Sequence, residues 1–196
     1  MLIEAVVLSV IAGLLFKGRF TELRSLEIRQ DWLLFGGLIV RYLPRLLDLK
    51  FMSFIPYSSA QVSPVFFILS YAMMTLGIAF NLRYIEMYPV LAGVLMNCIV
   101  VAVNGGYMPV SREILTASGF PVSGLINDII DANHKLTGAD TRMRILADII
   151  PLIRYYPVRK IISIGDILMS AGVFVFIFRS MRGMNKPRRK SNREEY

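Results

Sequence analysis

Residues 64–103 read PVFFILSYAMMTLGIAFNL, then RY, then IEMYPVLAGVLMNCIVVAV: two apolar runs, 64–82 and 85–103, separated by Arg83 and Tyr84 alone. At about 1.5 Å per residue, each run is long enough for a helix to cross roughly 30 Å of hydrocarbon. A connection of two residues forces the pair antiparallel. Three more runs of similar character surround them, at 2–16, 32–49 and 161–178. The first is short and must use its flanks to cross. It is unlike a signal peptide, because no basic residue precedes it and Lys17, Arg19, Arg24 and Arg29 follow it. The second carries Arg41, Pro44, Arg45 and Asp48, and the last is interrupted only by Asp166 and serines.

The composition agrees. Of 196 residues, 55% are hydrophobic and 18% charged, with a mean hydropathy of +0.56. An ordinary soluble domain is poorer in apolar and richer in charged residues. The fold expected is all-α: a polytopic membrane protein of about five transmembrane helices. Residues 1–178 form one transmembrane domain, with an outer connection at 104–160 and a basic tail at 179–196. Cys98 is the only cysteine and His134 the only histidine, which excludes an internal disulfide and the usual Cys- or His-rich metal sites. No metal and no cofactor is expected.

The net charge is +8, and the tail from Arg179 to Tyr196 supplies +5 of it. Basic loops stay cytoplasmic. Lys17–Asp31, with four Lys/Arg, and the tail are therefore placed inside, while the connection after the second span holds only Lys50. Five passes with the N-terminus outside and the C-terminus inside satisfy every short loop. The tail cluster Lys186-Pro187-Arg188-Arg189-Lys190 follows a membrane helix directly, so anionic lipid headgroups are its expected partner rather than nucleic acid.

The outer connection carries helical signals. Val122, Leu125, Ile126, Ile129 and Ile130 form one stripe opposite Asn127, Asp128 and Asp131. A second helix is expected from Asp140 as N-cap to Pro151, with Asp148 on its solvated face. Both are expected to cap the bundle. Asn104-Gly105-Gly106 ends the fourth span in a turn, and Ser111 suits the cap of a short helix.

Depth arithmetic brings the unusual polar residues together. Arg41 lies about 14 Å from the inner interface and Arg45 about 20 Å, while Asp166 and Asn97 lie about 8 and 9 Å below the outer surface. A charge at such depth normally faces the bundle and a partner. Arg41, Arg45, Asn97, Asn104 and Asp166 are accordingly the candidate ligand-binding residues of an outward-facing polar pocket. The plain alternative is a structural ion pair between the second and fifth spans, with Arg45 snorkelling to the interface. His134 and Asp148 are the catalytic candidates if chemistry occurs, since an imidazole suits proton transfer near neutral pH. The default for both is solvation. Glu86 is expected to cap its helix near the cytoplasm.

Asn104-Gly105-Gly106-Tyr107-Met108-Pro109-Val110-Ser111, then His134 with Leu136-Thr137, then Asp148-Ile149-Ile150-Pro151, then Ser163-Ile164-Gly165-Asp166 form an ordered set. The set resembles a family of small multi-pass bacterial membrane proteins, mostly Gram-positive, known as a domain of unknown function. The resemblance runs from the N-terminus to about Phe178. It implies a bacterial cytoplasmic-membrane protein and carries no activity.

Three functions compete. A non-catalytic component could bind a ligand or partner protein through the outer pocket. An enzyme could act on a lipid-linked or phosphate-bearing substrate, with arginines on the phosphate. A small transporter would need to oligomerise, because the five spans show no inverted repeat. The chain has no HExxH, P-loop or Asp-rich metal motif, so the accessory binding role leads. A membrane protein partner or a second copy of the chain is compatible with it.

Overall fold

The computed structural model describes residues 1–44, 59–119, 133–152 and 160–185. It is mostly helical: seven helices and four three-residue strands among the described residues. The long helices are α1 (Leu2–Leu15), α3 (Asp31–Tyr42), α4 (Ser59–Ala79), α5 (Met87–Val103) and α7 (Ile164–Met181), with α2 (Phe20–Leu23) and α6 (Arg112–Ala117) as short connectors. Two stretches, Val62–Ala79 and Ile164–Met181, are long and apolar enough to cross a membrane, while Leu2–Leu15 and Met87–Val103 are apolar but shorter. Each expected run contains a helix. The part of the second run beyond Pro44, with Arg45, lies outside the described residues, as do the 122–130 stripe and the tail from Lys186.

Large apolar side chains such as Phe67, Ile78, Val94, Val100 and Phe176 fill the core between α4, α5 and α7, whereas α1 is apolar outside and small or polar inside. On α1 the buried positions are Ala5, Ser9 and Gly13, whereas Ile3, Leu8, Leu15 and Phe16 are exposed. Burying small residues lets backbones approach closely, the packing that serves helices in an apolar solvent. Neighbours run α1–α7–α5–α4–α3. The α5–α7 contact is tightest: a Cβ on Gly93 would press on the Gly165 carbonyl and lie 2.9 Å from the Met169 backbone nitrogen.

At one end, Asn81 clasps the chain entering α3. Its Oδ1 accepts from the Arg29 amide at 2.8 Å, and its Nδ2 donates to the Arg29 carbonyl at 2.7 Å. Glu86 departs from its expected role. It sits at the N-cap of α5 without a side-chain cap bond, and its buried carboxylate pairs with Arg179 Nε at 2.8 Å.

The opposite end carries the strands. β1 (Met108–Val110) pairs parallel with β2 (His134–Leu136), and β3 (Ile150–Leu152) pairs antiparallel with β4 (Lys160–Ile162). Gly105 and Gly106, at φ +70° and +87°, make the turn out of α5 that the sequence implies, and Ser111 Oγ caps α6. The expected helix from Asp140 to Pro151 does not form. Met143 adopts φ +52°, one 3-10 turn follows at Arg144–Leu146, and Ala147 is extended. The Asp148 amide then donates to the Pro109 carbonyl at 2.9 Å, and Ser111 donates back to the Asp148 carbonyl at 3.1 Å. The β-branched pair Ile149-Ile150 suits this strand-like course. In the described residues the connection is thus a small β platform with one short helix.

Candidate functional site

The strand-bearing end encloses a cavity of about 370 Å³ between the start of α1, the end of α3, the wall formed by α4 and α7, and the β platform. Its polar lining is dense. Glu4 comes from α1, Arg41 from α3, Tyr71 from α4, Asp166 from α7, His134 from β2, Asp148 from the extended turn and Lys160 from β4.

Arg41 has an unusual setting. Its Nη1 donates to the Tyr71 hydroxyl at 3.2 Å, and its guanidinium lies 4.4 Å from the Phe67 ring centre and 5.6 Å from that of Tyr71. Such ring faces hold a cation by their quadrupole. The Nε has no hydrogen-bond partner, and no carboxylate reaches ion-pair distance among the described residues.

The carboxylates of the cavity are engaged. Glu4 accepts from Lys160 Nζ. Asp148 is buried, with Oδ2 lying 3.8 Å from His134 Nε2. Asp166 closes a capping box at the start of α7: its amide donates to Ser163 Oγ at 3.0 Å and its Oδ2 accepts from the Ser163 amide at 3.3 Å. Asn97 on α5 completes this knot. Its Nδ2 donates to Asp166 Oδ1 at 3.0 Å, while its Oδ1 accepts from Ser163 Oγ at 2.9 Å.

The candidate residues therefore separate. Arg41 and Asp166 line the cavity together. Asn97 is fully buried behind Asp166 and holds it. Asn104 lies elsewhere. Its side chain donates to the Val100 and Arg142 carbonyls and accepts from the Arg142 amide, beside a separate cavity with Lys135, Asp140 and Tyr107. Burial pushes the Tyr107 phenol above its ordinary value. Arg45 lies outside the described residues.

His134 and Asp148 are corrections in placement. Neither is a solvated loop or helix residue: His134 is half-buried in β2 and Asp148 is buried against it. Tyr71 and Lys160 were missed as site residues. A tyrosine within an apolar run and a lysine at the edge of one both have ordinary roles at a membrane interface. Only strand pairing brings Lys160 round to Glu4.

Fold and cavity together define a helical protein with an apolar exterior and a charged recess at one end. The chain belongs to the family of unknown function DUF5317, which matches residues 25–178. That span contains all four motifs of the sequence set and ends at Phe178 as expected, but it starts at residue 25 and not at the N-terminus. An uncharacterized protein of Thermotoga maritima is 33% identical over 122 residues, covering 62% of this chain and 67% of that protein. No solved structure matches the chain.

Proposed function

We propose that the chain is an integral protein of the bacterial cytoplasmic membrane, crossing it five times with the N-terminus outside, and that its cavity binds an anionic ligand without transforming it. The observation that carries this is the guanidinium of Arg41. It faces a polar cavity among aromatic rings, while Glu4 already accepts from Lys160, Asp166 from Asn97 and Ser163, and Asp148 lies 3.8 Å from His134. A cation so placed gains most from an incoming phosphate or carboxylate, because charge-assisted hydrogen bonds strengthen where water is scarce.

The test is thermal unfolding of the purified full chain in detergent, in inorganic phosphate against chloride of equal ionic strength. A ligand that binds only the folded state raises the midpoint. Phosphate should raise it for the natural protein and not for Arg41→Met. An equal rise in both, or none in either, overturns the proposal.

One observation favours a second reading, an enzyme acting on a lipid-linked or phosphate-bearing substrate. His134 and Asp148 share the cavity with Arg41, so a proton carrier and a phosphate anchor are present together. A His134→Ala protein that keeps phosphate binding and cellular function counts against this reading.

A further inference from the structure

The charged cavity does not stand alone. At the end of α3 it shares Leu38 and Tyr42 with an adjoining groove, also about 370 Å³, whose lining among the described residues includes Ile39 and Leu43. Ile39 is exposed and the groove walls are apolar. α1 packs on α7 and α3 packs on α4, so the cavity lies between α1 and α3, with Ile3 exposed on the α1 side. A polar recess that anchors an anion thus continues directly into an apolar track along one helix.

We infer that the ligand is a phospholipid molecule, its phosphate on Arg41 and its acyl chain along Leu38, Ile39 and Leu43. This rests on the anion-binding reading of the cavity and adds the class of ligand to it. A free phosphate satisfies Arg41 and leaves the groove untouched. A phospholipid occupies both, so its acyl chain makes a contact along the groove that phosphate cannot make. The Arg41 headgroup contact and the groove are then two separable contributions to one affinity.

The experiment titrates the detergent-solubilised full chain with dioctanoyl phosphatidylglycerol and with inorganic phosphate, read by native mass spectrometry and thermal shift. The lipid should bind at least tenfold more tightly than phosphate. Arg41→Gln should weaken both ligands by roughly tenfold to a hundredfold, the range for a lost hydrogen bond to a charged group. Ile39→Trp, which fills the groove, should weaken the lipid alone. If phosphate binding depends on Arg41 but the lipid binds no more tightly, the lipid inference falls and the anion-binding function stands. If neither ligand depends on Arg41, both fall. Should Arg41→Gln not fold, a photoactivatable phosphatidylglycerol is crosslinked to the natural protein. Adducts confined to residues 1–4 and 38–43 support the inference, and adducts spread over the exposed faces of α4 and α5 overturn it.

Discussion

Asn97 and Ser163 occupy the point where α5 meets the start of α7, and every polar atom they bring to that point has a partner. Buried polar groups satisfied so fully are costly to disturb one at a time. Asn97→Ala should destabilise by about 1–3 kcal/mol, because it strips a donor from Asp166 and an acceptor from Ser163. Ser163→Ala, a lost N-cap, should cost about 1 kcal/mol. Asn97→Asp should be worse than Asn97→Ala, since it sets a second carboxylate against Asp166. Detergent melting curves of the three variants give the order, and an Asn97→Asp protein as stable as the natural one would remove the knot from the account. The approach of Asn97 to Asp166 was legible from depth alone. The capping role of Asp166 was written in Ser163-x-x-Asp166, a box pattern whose last residue is usually Glu or Gln. The Arg41–Tyr71 contact had no such cue, because it depends on how α3 lies against α4.

At the scale of elements, glycine sets how close α5 and α7 come. Gly93→Ala meets backbone atoms of α7, which cannot rotate away as a side chain can. It should cost about 1–3 kcal/mol as overpacking does. Gly138→Ala is the internal control: nothing lies within 4 Å of its added Cβ, so it should be within about 0.5 kcal/mol of neutral. Equal melting temperatures for the two variants would contradict the close contact. The apolar runs located the long helices, as they would in hydrocarbon, where a helix is one of few ways for a run of that length to satisfy its backbone. Their ends were harder. Lys160–Ile162 is strand and α7 begins at Ile164, so the last helix runs three residues past Phe178 to Met181. Over Met143–Ile150 the apolar spacing fits a short helix as well as a strand, and pairing with β1 and β4 decided between them. The cavity shares this dependence. His134, Asp148 and Lys160 are brought together only once Met108 is in register with His134 and Ile150 with Ile162.

For the whole molecule, the alternation of helix ends matters most. The Lys17–Asp31 segment, the α4–α5 turn and the end of α7 gather at one pole, joined by contacts such as Arg19 to Met181 and Arg29 to Asn81. The β platform and charged cavity occupy the other. If the long helices cross a bilayer, the basic pole belongs in the cytoplasm and the cavity opens outside. Ser25 and Thr116 are exposed and lie at opposite poles, which makes them suitable reporters once the half-buried Cys98 is replaced by alanine. In intact cells an impermeant maleimide should label Thr116→Cys, and it should reach Ser25→Cys only after permeabilisation. The reverse pattern would keep the crossings but turn the cavity to the cytoplasm, where its ligand would have to be a component of the inner leaflet. Labelling of both from one side would break the odd number of crossings between them. The exposed apolar faces of α1, α4 and α5 would then need protein rather than lipid to cover them.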